Sequence, residues 1–132
     1  MIIIGEAANS LPAEVRSRHS DVAWRVIGMR LAGIICMGSV GETEIAAWRA
    51  VFDTNVFGAV RCIRAVLPLL RPRGGGCIVN VSSAAGVVAL SAVSAYAASK
   101  AALEMLSQAV AIEAGPHGIR VVLVEAGSWT RP

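Results

Sequence analysis

An α/β protein is predicted from three features of the chain. Two short apolar runs, 77–81 and 119–125, read as strands, long amphipathic segments alternate with them, and Gly or Pro stands at each junction. Strands that are apolar throughout, each followed by a helical crossover, are the pattern of parallel βαβ units. A parallel neighbour can be reached only through such a crossover, and a strand covered on both faces shows no polar side. With 132 residues, 55 % of them hydrophobic, the chain has enough material for one core.

Along the chain, residues 1–30 are atypical and carry the weakest signals: an apolar start, a short helical candidate introduced by Ser10-Leu11-Pro12, and a strand candidate over 24–28. A further apolar strand candidate covers 31–37 and runs into the turn residues Gly38 and Gly41. The spacing then predicts one long amphipathic helix over 43–70, with Thr43 as N-cap. Its apolar stripe runs through Ile45, Trp48, Phe52, Val56, Ala59, Ile63, Val66 and Leu70. Pro68 is expected to disturb its last turn, and Pro72 with Gly74-Gly75-Gly76 to end it. The strand 77–81 follows, buried on both faces, then Ser82-Ser83 and a loop. A second helix over 96–114 is closed by Gly115-Pro116, and the Val-rich strand 119–125 leads to Ala126-Gly127-Ser128. In open parallel sheets ligands lie beyond the carboxyl ends of the strands, which points to Ser82-Ser83, Ala126-Gly127-Ser128 and the loop after Met37.

Composition narrows the class of partner. Charged residues are 16 % of the chain, and the net charge of +3 is scattered as single arginines, with no basic stripe to track a nucleic acid. The segment 74–99 has no charge and imitates a membrane span in a hydropathy window. It also holds four glycines, Asn80 and five serines, which favour a buried strand with a site loop over a lipid-facing helix. The cysteines Cys36, Cys62 and Cys77 are odd in number and widely spaced inside apolar runs. Buried thiols in a reducing cytoplasm are therefore expected, with neither a disulfide framework nor a metal site. The start, Met1-Ile2-Ile3-Ile4-Gly5, lacks the basic flank and length of a secretory signal.

Eleven of the twelve basic residues are Arg; the single lysine is Lys100, four positions after the single tyrosine, Tyr96. Simple counting puts the odds of that coincidence at roughly one in a hundred. In so Arg-rich a background, a retained Lys marks a place where a compact ammonium is needed. One helical turn apart, Tyr96 and Lys100 share a face, and a neighbouring cation favours the phenolate needed for acid/base work near neutral pH. Taken alone, such a pair is more often a surface contact at a helix start. Ser83 ends a buried strand 13 residues before Tyr96, close enough for the loop to fold its hydroxyl back toward the phenol, although a strand-end Ser is often only a turn residue. Asn55 lies seven residues after Trp48, near the buried stripe, and needs a polar partner, which backbone carbonyls could equally supply. Gly127 after a strand permits close approach of a ligand to the backbone, or simply makes a turn.

Together these segments resemble the short-chain dehydrogenase/reductase family over roughly residues 31–132. The strongest match is Ile78-Val79-Asn80-Val81-Ser82-Ser83, followed at the family's spacing by Tyr96-Ala97-Ala98-Ser99-Lys100. Residues 48–58, with Phe52-Asp53-Thr54-Asn55, are similar to the helix that carries the family's Asn, and Gly118-Ile119-Arg120-Val121 to the strand before its Pro-Gly turn. The resemblance implies a partial Rossmann-type, doubly wound parallel sheet and an NAD- or NADP-dependent oxidoreductase acting on a small-molecule alcohol or carbonyl. Tyr96 would be the acid/base. Lys100 would lower its pKa and hold the nicotinamide ribose, Ser83 would bind the substrate oxygen, and Asn55 would hold a water of the proton relay. Asn80 and Ser82 would shape the site without carrying the chemistry. The cofactor would also meet Ala32, Gly33, Gly127 and Thr130.

The sequence departs from the family at several places. No Thr-Gly-x-x-x-Gly-x-Gly loop occurs, so the first βαβ units are expected to be lacking and 1–132 to form a single incomplete Rossmann-type domain that binds NAD(H) or NADP(H) poorly by itself. The Asn-Asn-Ala-Gly motif falls on Arg30-Leu31-Ala32-Gly33, and the Pro-Gly turn on Ala126-Gly127. The helices 43–70 and 96–114 offer surfaces for homo-oligomerisation. The competing reading is a non-catalytic member, surviving as an interaction module or a disrupted gene product.

Overall fold

The computed structural model describes residues 2–4 and 35–126. Among the described residues three parallel strands form one sheet in the order β1-β2-β3: β1 (Ile2–Ile4), β2 (Gly76–Ser83) and β3 (Ile119–Ala126). Ile2 pairs with Ile78 on one side of β2, and Gly76 through Ser83 pair with Ile119 through Ala126 on the other. The strand beside β2 is thus the isoleucine run at the start of the chain. Residues 35–37, the described part of the expected strand 31–37, are irregular, and Gly38 makes only a single bridge to Val93. The candidates at Ser10 and over 24–28 lie outside the described residues.

The predicted long helix is continuous but not uniform: α1 (Ile45–Phe52) passes through a π-turn (Asp53–Phe57) into α2 (Gly58–Leu70). The widened turn is closed by the Gly58 N–H donating to the Asp53 carbonyl, five residues back. It accounts for a difference between expected and observed burial. Residues Val51, Asn55, Ala59 and Ile63 are buried at successive intervals of four, followed by Val66 and Leu70. Four-residue steps drift around a regular α-helix, and one wide turn absorbs the drift. Beyond the turn the expected stripe is correct. Before it, Ile45 is exposed, Trp48 and Phe52 are only half-buried, and the ring of Trp48 stacks on Phe52 at 6.4 Å. Thr43 does not cap the helix. Its hydroxyl donates to the Ser39 carbonyl at 2.8 Å, and Glu44 occupies the N-cap position without a side-chain cap. Pro68 sits inside α2 without ending it, one turn before the 3₁₀ turn at Arg71–Arg73.

Helix α3 (Ser94–Ala114) returns the chain from β2 to β3. Because the strands add in chain order, crossovers of one hand fall on one face of the sheet. There α2 contributes Ile63, Val66 and Leu70, and α3 contributes Leu103, Val110 and Ala114, to a core closed by Ile78 and Ile119. The opposite face is only partly covered. Cys77 and Val79 are half-buried, and Val122 and Val124 are 42 % and 45 % exposed, so β2 is not buried equally on both faces as expected.

At the amino ends of β2 and β3 two glycine turns touch. Gly74 and Gly118 are left-handed (φ 73° and 70°), Gly75 has φ 143°, and the Gly76 N–H donates to the Gly118 carbonyl at 3.3 Å. A Cβ on Gly75 would stand 2.5 Å from the Gly118 oxygen, and one on Gly118 2.6 Å from the Gly74 oxygen, so neither position admits a side chain. Among the described residues no helix is long and apolar enough to cross a membrane, and no group of His, Cys, Asp and Glu is placed to hold a metal ion.

Candidate active site

Strand β2 alternates, and its helix-facing residues Ile78, Asn80 and Ser82 are essentially inaccessible. Two of the three are polar, and each finds a partner on α3. Asn80 Nδ2 donates to Ser107 Oγ at 2.7 Å, and that hydroxyl donates on to the Leu103 carbonyl at 2.7 Å. Ser82 Oγ donates to Glu104 Oε1 at 2.8 Å. Helix α3 presents two adjacent rows at four-residue spacing, Tyr96-Lys100-Glu104 and Ser99-Leu103-Ser107.

Lys100 is 5 % exposed, and an ammonium so placed requires compensation. Its Nζ donates to the Val81 carbonyl at 3.1 Å and lies 5.5 Å from the centroid of the Tyr96 ring, within range of a cation–π attraction. The single Lys and single Tyr of the chain therefore meet at the carboxyl-terminal end of the central strand, with the half-buried phenol the more accessible of the two.

Asn55, in the π-turn, is buried and reaches α3 from the other helix. Its Nδ2 donates to Ser99 Oγ at 2.9 Å, and Ser99, itself 0 % exposed, donates its only hydroxyl proton to the Tyr96 carbonyl at 2.7 Å. The direction of both bonds is set, because an amide NH₂ can only donate and a hydroxyl has one proton. The π-turn is thereby tied to the backbone of the residue that carries the phenol.

Ser83 closes β2 with extended backbone (φ −149°, ψ 152°) and begins the 3₁₀ turn Ala84–Gly86. Its Oγ accepts from the Ala85 N–H at 3.3 Å and is not hydrogen-bonded to Tyr96. The structure thus joins Asn55, Tyr96 and Lys100 through short contacts and sets Ser83 two residues beyond the carbonyl that holds Lys100. Loop 35–43 stands alongside, where the Gly38 N–H donates to Ala92, a residue with φ 60° just before α3. Ala32, Gly33, Gly127 and Thr130 lie outside the described residues.

Three residues of the cluster escaped the sequence reading: Ser99, Glu104 and Ser107. The available signal was their spacing, since Ser99 and Ser107 are eight apart on one face of α3, and a serine row at core positions implies polar partners opposite. Asn80 keeps one buried oxygen, Oδ1, without a partner.

The family model for short chain dehydrogenase matches residues 21–130. The uncharacterized oxidoreductase YusZ of Bacillus subtilis (strain 168) is 41 % identical over 98 residues, which are 74 % of this chain and 35 % of the relative. Among solved structures, a short-chain dehydrogenase from Streptomyces avermitilis superimposes with a TM-score of 0.70 at 44 % identity, covering 74 % of this chain and 36 % of the other. NAD⁺-bound xylitol dehydrogenase gives 0.70 at 31 % identity over 73 % of this chain and 37 % of its own. The chain spans about a third of the length of these proteins.

Proposed function

Because the chain belongs to the short-chain dehydrogenase family, we propose that it supplies the proton-transfer half of an NAD- or NADP-dependent oxidoreduction of an alcohol or carbonyl compound. The observation that carries the reading is the Lys100 ammonium held between the Val81 carbonyl and the Tyr96 ring at the end of β2. A phenol and an ammonium one turn apart fit the ribose hydroxyls of a nicotinamide cofactor, and the backbone near Ala32, Gly33, Gly127 and Thr130 would complete its binding. When bound, that cofactor supplies or accepts hydride at C4 of its ring.

The chain's own residues would move the proton. In the reductive direction Tyr96 Oη gives its proton to the carbonyl oxygen as hydride reaches the carbon, so the ketone becomes an alcohol. The Ser83 Oγ accepts from Ala85, which leaves its own O–H to donate to the same oxygen. Lys100 would set a cation beside the phenol, and Asn55 would hold a water through which the proton of Tyr96 is replaced. The supporting feature for Asn55 is its link through Ser99 to the Tyr96 backbone.

Self-association through helices 43–70 and 96–114 belongs to the same proposal. It is supported by Phe57, Leu69, Met105 and Ile112, which are 53–79 % exposed on those helices. A cytoplasmic location is proposed on the free thiols of Cys36, Cys62 and Cys77. The test is reduction of a carbonyl panel with NADH or NADPH by the chain and by Tyr96→Phe. We expect turnover to fall by roughly 10²–10⁴-fold in the variant. Undiminished turnover in Tyr96→Phe would overturn the assignment.

A further inference from the structure

Glu104 has no part in the chemistry proposed above, yet one of its oxygens meets both segments that flank Ser83. On the strand side, Ser82 is 2 % exposed and gives its proton to Glu104 Oε1 at 2.8 Å; the Lys100 carbonyl, at 3.5 Å, is the weaker alternative acceptor. On the loop side, the turn Ala84–Gly86 lies against α3 so closely that a Cβ on Gly86 would overlap the same Glu104 Oε1. It would also stand 3.1 Å from the Lys100 carbonyl carbon and 3.2 Å from the Ala101 nitrogen. Ser83 sits between the Ser82–Glu104 hydrogen bond and this close packing contact, and among the described residues its own side chain is held by the Ala85 N–H at 3.3 Å, a bond inside the same turn. The Ser83 hydroxyl therefore has no tie of its own to α3.

We infer that Glu104 is a positioning residue that holds the Ser83 hydroxyl at its station on the end of β2, by fastening Ser82 and the Ala84–Gly86 turn to the helix that carries Tyr96 and Lys100. The functional part of this inference rests on the proposed role of Ser83; the mechanical part does not. A carboxyl is suited to the task because one oxygen can accept from the Ser82 hydroxyl while filling the space that Gly86 leaves empty. Glutamine keeps both the acceptor and the volume, whereas alanine keeps neither.

The experiment measures amide hydrogen exchange in the full chain, in Glu104→Gln and in Glu104→Ala, at Ala85, Val87 and Val88. Their N–H groups bond to Ser83 Oγ, the Ala84 carbonyl and the Ala84 carbonyl respectively. In Glu104→Ala these three amides are expected to exchange about tenfold faster while the Gly115 amide at the far end of α3 is unchanged, and Glu104→Gln is expected to stay within about twofold of the parent. If the parent also reduces carbonyls, the Ala variant should lose about tenfold in kcat with KM within about twofold, and the Gln variant should recover it. Unchanged exchange at the three amides in Glu104→Ala, a Gln variant no better than the Ala variant, or a loss confined to KM would each overturn the inference. A parent without reductase activity would count against the proposed function, and the exchange pattern would still decide whether Glu104 holds the turn.

Discussion

Helices α2 and α3 cover the same face of the same sheet, yet they are buried in different ways. The buried row of α2 is Gly58, Ala59, Ile63, Val66 and Leu70, with no polar side chain in it. That of α3 holds Ser99, Lys100 and Ser107 among its seven residues. A helix of the first kind is stabilised by area and close packing, and a substitution in it costs what the resulting cavity costs. In the second kind every buried polar group needs a matching group opposite, and the cost of a substitution depends on which partner is left behind. The strand between them reflects the split: Ile78 meets the apolar part of the core, whereas Asn80 and Ser82 answer the polar positions of α3.

The comparison can be tested most strongly at α2. Ile63→Ala is expected to lower stability by about 2–5 kcal/mol in a denaturant titration, because a fully buried side chain is removed and the sheet cannot follow it inward. A loss under about 1 kcal/mol would mean that α2 is not the packing helix described. On α3, Ser99→Ala and Asn55→Ala should each cost about 1–3 kcal/mol. The double variant should cost clearly less than the sum, since each change alone already removes the whole Asn55–Ser99 bond. Strict additivity in that cycle would show that the bond does not form.

A finer contrast concerns Asn80, whose Oδ1 has no partner. Ser107→Ala removes the acceptor of Asn80 Nδ2 and should destabilise by about 1–3 kcal/mol; adding Asn80→Leu should restore part or all of that loss, because both polar groups then disappear together. A double variant less stable than Ser107→Ala alone would contradict this. The smallest effect is expected at Cys62, beside the apolar core on α2, where burial pushes the thiol pKa above its ordinary value. Less thiolate is then present at pH 8 than for a free cysteine, so alkylation should be slow in the native chain, rise with pH above the usual thiol range, and become fast in denaturant. Equal native and denatured labelling rates would remove the claim.

The legibility of the sequence divides along similar lines. Strands β2 and β3 and helix α3 could be read to within one or two residues, because apolar runs, glycine turns and helical spacing coincide there. The partner strand could not. Ile2–Ile4 is too short to announce itself, and the run after Leu31, which carries the stronger apolar signal, is irregular over residues 35–37. Constant spacing puts Ile45, Trp48 and Phe52 on the buried stripe, whereas Ile45 is exposed, Trp48 and Phe52 are half-buried and Val51 is the buried residue, because the wide turn at 53–57 breaks the constant spacing. Of the site, the Tyr96–Lys100 pairing was legible because both residues lie on one helix. The bonds of Asn55 to Ser99 and of Ser82 to Glu104 join residues 44 and 22 positions apart and become visible only when the helices are packed.

The glycine contact between Gly75 and Gly118 bears on where this chain can change its length. Two helix-to-strand connections cross there with no side chain between them and a backbone bond joining them, so an insertion in either would force the amino ends of β2 and β3 apart. At the opposite end of the sheet, residues 87–91 run over the surface between the Ala84–Gly86 turn and α3, with Val87, Val88 and Leu90 exposed, and extra residues can loop outward there. Growth and diversification of the chain are thus admitted on the side where Ser83 and Tyr96 stand and refused on the side that aligns the strands.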